Sequence, residues 1–155
     1  MEVSLQRTIR IFTDGSAIGN PGPGGWAALI LDHSKRTVLH GGKSYTCITE
    51  MELTAALEAL RSLREPSKVA LFSDSELLIK GMQHLVAKWA REGWRNRRGG
   101  KLHYRAIWIE LLALNAVHFI EWHWIKGHNG HREQEYADRI AYEQANALRY
   151  HLKAA

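Results

Sequence analysis

A chain of 155 residues is sized for one domain with a substantial core, and 45% hydrophobic with 24% charged residues is ordinary for a soluble globular protein. The formal charge of +5 suits a polyanionic partner without requiring one. A single cysteine, Cys47, excludes an internal disulfide framework and a cysteine-built zinc site, and no apolar run approaches the roughly 20 residues of a membrane span. The segment Met1-Glu2-Val3-Ser4-Leu5-Gln6-Arg7 has no apolar signal core, so a cytoplasmic protein working away from membranes is expected.

Alternation from Arg7 to Asp14 predicts a strand, with Ile9, Ile11 and Thr13 on one face and Arg10, Phe12 and Asp14 on the other. Gly19-Asn20-Pro21-Gly22-Pro23-Gly24-Gly25 then marks a tight connection. Trp26 to Leu31 and Thr37 to Tyr45 read as two further strands of a meander. A helix is predicted from Glu50 to Arg64 on the stripe Leu53, Ala56, Leu57, Leu60 and Leu63, followed by a short strand from Lys68 to Phe72. Helices over Ser75 to Ala87 and Leu102 to Asn115 flank a basic, glycine-containing stretch. Phe119 to Ile125 reads as a strand, and a last helix follows His131 on Ala137, Ile140, Ala141, Ala145 and Leu148. The order predicts one α/β domain over residues 1–155, a five-stranded mixed sheet with helices packed on its faces.

Four acids stand in distinctive local signatures. They are Asp14 in Thr13-Asp14-Gly15-Ser16, Glu52 in Met51-Glu52-Leu53, Asp74 in Ser73-Asp74-Ser75, and Asp138 after Lys126-Gly127-His128-Asn129-Gly130-His131. Each alone has a structural explanation. Glu52 fits a capping box opened by Thr49, Asp74 an N-cap, Asp14 a turn, and Asp138 a solvated helix position. Together they read differently. Asp138 is in register with Ala141, Ala145 and Leu148 on the inward stripe, and Asp14 shares the strand face of Phe12. Carboxylates so placed are costly unless cations hold them ionised. An oxygen-only donor set suits hard divalent ions, two of which can drive phosphodiester hydrolysis. A rival zinc site built from His128, His131 and His123 is disfavoured by the absence of cysteine partners and by the glycines between the first two.

Gly19 to Gly25 is not a dinucleotide loop, since prolines and a strand follow where a helix would be needed. It reads as a hairpin connection in which Asn20 is a turn residue or a polar contact. Lys88 to Lys101 holds six basic residues against one acid, with Trp89 and Trp94 interleaved. That pattern fits a solvated loop or a nucleic-acid grip.

These motifs, in order and spacing, resemble type I ribonuclease H from about Ile9 to Ile140. The most specific are Phe12-Thr13-Asp14-Gly15-Ser16 with the Gly19–Gly25 run, and Trp124-Ile125-Lys126-Gly127-His128-Asn129-Gly130-His131 followed by Glu135 and Asp138. The resemblance implies the ribonuclease H fold and an endonuclease that cuts the RNA strand of RNA–DNA hybrids. It implies two Mg²⁺ ions, with Mn²⁺ as substitute, held by Asp14, Glu52, Asp74 and Asp138. It further implies His128 in proton transfer or product release, products with 5′-phosphate and 3′-hydroxyl ends, and Asn20 at sugar hydroxyls. The basic stretch then becomes the grip on the DNA strand, through Lys88, Trp89, Trp94, Arg95, Arg97 and Arg98. A monomer is expected. The chain departs from the family at Ile48-Thr49, where asparagines often stand, and at Glu76, where glutamine is common. Thr49 is the candidate to replace the lost sugar contact. Weaker hybrid binding or an altered cleavage-site preference, with an intact chemical step, is the expectation from those departures. The rivals are a related polynucleotidyl transferase or four-acid exonuclease, and a non-catalytic or weakly active nucleic-acid-binding module of the same fold.

Overall fold

The computed structural model describes residues 4–127 and 130–154. Five strands form one sheet: β1 (Ser4–Ala17), β2 (Gly22–Asp32), β3 (Lys35–Thr46), β4 (Ser67–Ser73) and β5 (Phe119–Trp124). Their order is β3-β2-β1-β4-β5. β1, β2 and β3 make an antiparallel meander, while β4 and β5 add in parallel to β1. The parallel additions require crossovers, which helices supply: α1 (Ile48–Arg61) before β4, and α2 (Glu76–Lys80), α3 (Val86–Arg91) and α4 (Arg105–Val117) before β5. The last helix, α5 (Arg132–Ala154), packs on β1, β2 and β3. The mixed sheet with helices on its faces agrees with the expectation. Among the described residues no helix is long and apolar enough to cross a membrane.

Strand alternation divides the interior in two. Ile9 and Ile11 of β1, Ala28 and Ile30 of β2, and Val69 and Leu71 of β4 meet Leu53, Leu57 and Leu60 of α1, Leu78 of α2 and Trp108 of α4. On the other face Phe12 and Leu29 pack with Ile125, and Phe72 and Tyr136 close that smaller cluster. Asp14 has the parity of Phe12, so it projects to the α5 side.

Several boundaries differ from the sequence reading. β1 runs straight through Asp14, Gly15 and Ser16, and Gly22 to Gly25 already belong to β2, so the tight connection is only its first part. The predicted helix over 75–87 is instead α2 and α3 joined by a π-helical turn at Gly81–Leu85. A side chain at Gly81 would overlap the Trp108 ring, so close packing of the two helices selects glycine there. α4 begins three residues later than expected, behind Tyr104 in the left-handed region at φ 60°.

Candidate metal centre

The ends of three elements converge. Asp14 lies near the end of β1, paired with Ala27 of β2. Asp74 immediately follows β4, whose register with β1 (Phe12 beside Phe72) carries both acids past the last rung on the same side. Glu52 comes from the opposite face, on α1. It reaches the strand end because residue 15 is glycine: any side chain there would overlap the backbone of Met51 and Glu52. Asp14, Glu52 and Asp74 each present an oxygen, all within 4.8 Å of one another. Asp138, half-buried on α5, lies close enough to add its charge to the field on Asp14.

Local hydrogen bonds decide which tasks fall to these acids. The N-cap of α2 is Ser75, whose hydroxyl accepts from Leu78 N at 3.2 Å, and Ser73 Oγ accepts from Ser75 N at 3.0 Å. Asp74 is therefore not the cap that a local reading allows. Glu52 is not the acid of a capping box either, because α1 starts at Ile48 with Cys47 as N-cap and Thr49 already inside the helix. Nor is Asp14 a turn residue: it is 3% exposed inside a strand and accepts from Gly15 N at 2.9 Å. Gly127, after β5, comes close against Asp74: a Cβ there would lie 2.8 Å from Asp74 Oδ2. Trp124 Nε1 donates to Asp74 O at 3.2 Å and ties the end of β5 to the same residue.

Electrostatics record the cost of the arrangement. Burial, then the charges of Asp74 and Asp138, push the Asp14 carboxyl up to about 9, against the lowering effect of the Gly15 N–H. Burial raises Glu52 to about 7, with a hydrogen bond to Ser75 opposing and the charge of Asp74 adding. Carboxyls in this state bind protons at neutral pH unless cations replace them.

The other predicted residues fall into distinct settings. His128 lies outside the described residues. His131 is exposed and His123 stacks on Phe72 with ring centroids 4.9 Å apart, so among the described residues the metal-capable group is carboxylate, not histidine. Asn20 has a task the sequence reading missed: its Oδ1 accepts from Ile48 N at 2.9 Å and caps α1. Thr49 is half-buried, and Ile48 is 37% exposed. Lys88, Arg95, Arg97 and Arg98 are exposed, whereas Trp89 and Trp94 are half-buried against the main core, Trp89 edge-on to Trp108 at 5.0 Å. Asn96 organises the turn that displays the arginines, its Oδ1 accepting from Arg98 N at 2.9 Å and Gly100 N at 3.0 Å. Glu76 is exposed and lies 3.7 Å from Lys80. Gly15, Ser73, Ser75 and Gly127 build the centre without being acids, and only the small size of residues flanking each acid hints at them in the sequence.

The sequence model of the RNase H family matches residues 6–146. A protein named ribonuclease H from Legionella pneumophila (strain Corby) is 41% identical over 133 residues, covering 86% of this chain and 93% of its own. A ribonuclease H of Thermus thermophilus is 42% identical over 148 residues, covering 95% and 89%. The crystal structure of LC9-RNase H1, described as a type 1 RNase H with the type 2 active-site motif, is similar with a TM-score of 0.83 at 26% identity over 96% of this chain and 75% of that one. LC11-RNase H1, solved in complex with an RNA/DNA hybrid, has a TM-score of 0.67 at 19% identity over 90% of this chain and 98% of that one, a likeness of fold.

Proposed function

The chain belongs to the RNase H family, and from that premise we propose how its own residues hydrolyse the RNA strand of an RNA–DNA hybrid. The family is metal-dependent, and an acidic cluster is present. The observation that carries the assignment is the meeting of three carboxylate oxygens within 4.8 Å from three separate elements. A purely structural role would not gather them, since burial and mutual repulsion raise Asp14 to about 9 and Glu52 to about 7. Oxygen donors only, partly buried and crowded, fit hard divalent cations.

Asp14, Glu52 and Asp74 would hold two Mg²⁺ ions with Asp138 completing the set, and Mn²⁺ would substitute. Cations held there would supply a lowered pKa for an attacking water and an offset for the charge growing on the leaving 3′ oxygen. The protein's contribution is geometric. Gly15 and Gly127 let backbone close around the acids from both sides, and Ser75 both caps α2 and steadies Glu52. Asp14 and Glu52 must release their protons to receive cations, so the occupied centre is favoured by rising pH. His128 would move a proton at the leaving oxygen or assist product release. The products would carry 5′-phosphate and 3′-hydroxyl ends.

Lys88, Arg95, Arg97 and Arg98 would grip phosphates without sequence preference. Trp89 and Trp94 would support that segment from the core side and present only their exposed edges to the nucleic acid. Selection of RNA must come from 2′-hydroxyls and groove shape. Asn20 keeps its amide for that purpose while its carbonyl caps α1, and Thr49 is the neighbouring polar group. A cytoplasmic monomer is the simplest setting for this chain, whose one cysteine is free.

The test is a hybrid labelled on the RNA strand, beside double-stranded RNA and double-stranded DNA, with Mg²⁺, Mn²⁺ or excess chelator. Internal cuts confined to the hybrid's RNA and abolished by chelator are expected. Binding without cleavage under both metals would reassign the chain as a binding module.

A further inference from the structure

Gln134 sits in the first turn of α5 at 3% exposure, one helical turn before Asp138 on the same face. Its Nε2 donates to Thr13 O at 2.9 Å, across 121 residues of sequence. Thr13 immediately precedes Asp14 and lies one residue beyond Phe12–Phe72, the last rung of the ladder between β1 and β4. One amide therefore joins the strand end that carries Asp14 to the helix turn that carries Asp138.

Docking of α5 does not explain this residue. Ala137, Ala141 and Ala145 are buried along the helix, and side chains at Gly25 or Gly42 would overlap α5, so the helix is already seated on the sheet. An apolar residue at 134 would bury more favourably. Gln134 Oε1 is buried and makes no hydrogen bond, a cost a methionine at 134 would avoid. Departures of that kind concentrate where function, not stability, selects the residue. What needs holding here is clear: Asp14 and Asp138 stand on different elements, near enough for the charge of one to act on the other, and no other hydrogen bond among the described residues ties the end of β1 to that turn of α5.

We propose that Gln134 is a positioning residue for the metal centre, its amide fixing the separation of Asp14 and Asp138 so that the cluster meets the first cation preformed. It touches neither substrate nor cation and acts through Thr13 and through the turn of α5. The inference rests on the reading of Asp138 as a ligand.

The experiment is a Mn²⁺ titration of the substrate-free protein, followed by calorimetry and by the electron paramagnetic resonance of free Mn²⁺, alongside thermal unfolding. Gln134→Met keeps length and volume and removes the donor; Gln134→Leu is the second variant. Outer-shell partners of metal ligands typically carry about 10–100-fold in affinity, so a residue acting through backbone should carry roughly five- to tenfold. The expected result is Mn²⁺ affinity weakened by that factor, with a melting temperature equal to or above that of the parent. In an Asp138→Asn background the same change should have no further effect, because the partner to be positioned is gone. Unchanged Mn²⁺ affinity with a lowered melting temperature would make Gln134 a packing residue and overturn the proposal, as would failure of both variants to fold. If Asp138→Asn alone leaves Mn²⁺ affinity intact, the ligand assignment fails first, and the proposal with it. Weakening by Asp138→Asn but not by either Gln134 variant would sink the positioning role alone.

Discussion

The acid cluster and the basic segment, Lys88 to Lys101, do their work under opposite structural rules. At the cluster every neighbour is specified: Gly15 admits α1, Gly127 comes close against Asp74, and Ser75 takes the capping task that would otherwise occupy Asp74. In the basic segment the arginines stand exposed on a small turn wound about Asn96, and only Trp89 and Trp94 reach the core. Metal-dependent hydrolysis needs oxygens held at fixed separations, whereas phosphate affinity needs only charge within reach. Exchanging one carboxylate oxygen should therefore silence the first region, while the second should lose function in instalments.

The largest effect is expected at Asp14. Asp14→Asn should lower cleavage by roughly 10³-fold or more, since a direct ligand carries more than the about 10–100-fold of outer-shell partners. Hybrid binding measured in chelator should persist. Turnover retained in that variant would remove the difference between the two regions. Replacing Arg95, Arg97 and Arg98 together by alanine should instead raise KM by roughly tenfold at physiological salt and leave kcat nearly unchanged. The slope of log affinity against log salt should shrink by roughly 2–3. A fall in kcat of the same size as the rise in KM would mean that the segment shapes the centre.

A smaller effect concerns stability. Asp14 is raised from 3.8 to about 9 and Glu52 from 4.5 to about 7, so the folded state holds protons that the unfolded chain releases. Groups raised in this way contribute stability that is complete below the unfolded values and is lost as pH rises through the folded ones. The metal-free protein should therefore lose stability between about pH 4 and pH 9. Asp14→Asn should flatten that decline and stabilise the metal-free protein at pH 8 by an amount of the order of 1–3 kcal/mol. Denaturant melts at a series of pH values, with chelator, would decide it. A parallel decline in both proteins would assign the pH dependence elsewhere.

The smallest effect is at the mouth of the site. Ile48 is exposed beside Asn20 and offers a hybrid nothing to bond. As a hypothesis, Ile48→Asn should tighten hybrid binding by about fivefold, the worth of one hydrogen bond of ~1 kcal/mol. No change in Kd would leave the departure from the family at this position without consequence.

Legibility in the sequence followed the same division. The four acids could be found because each sits in a conspicuous run, and the sheet because its strands alternate cleanly from Ile9 to Phe12 and from Phe119 to Trp124. What could not be read were the contacts that arise only on folding. Thr49 to Glu52 has the spacing of a capping box, but Asn20, 28 residues away, supplies the cap. Asp74 and Ser75 are equivalent N-cap candidates by type, and the turn geometry selects Ser75. Glycine at 81, where the π-helical turn begins, answers to the Trp108 ring, which arrives from another helix. Trp89 and Trp94, interleaved among basic residues, gave no sign that they lean on the core. Gln134 was invisible for the plainest reason: in an amphipathic helix one glutamine looks like surface until its partner, Thr13, is folded against it.

Burial in this fold keeps a proton on Asp14, and in part on Glu52, that a cation must displace. Calorimetric Mn²⁺ binding at pH 7, repeated in buffers of different ionisation heat, counts those protons. With Asp14 at about 9 and Glu52 at about 7, release of about one proton or more on binding is predicted, and clearly less from Asp14→Asn. Binding without proton release, equal in both proteins, would show that the acids are already ionised and that the cluster is not built as described.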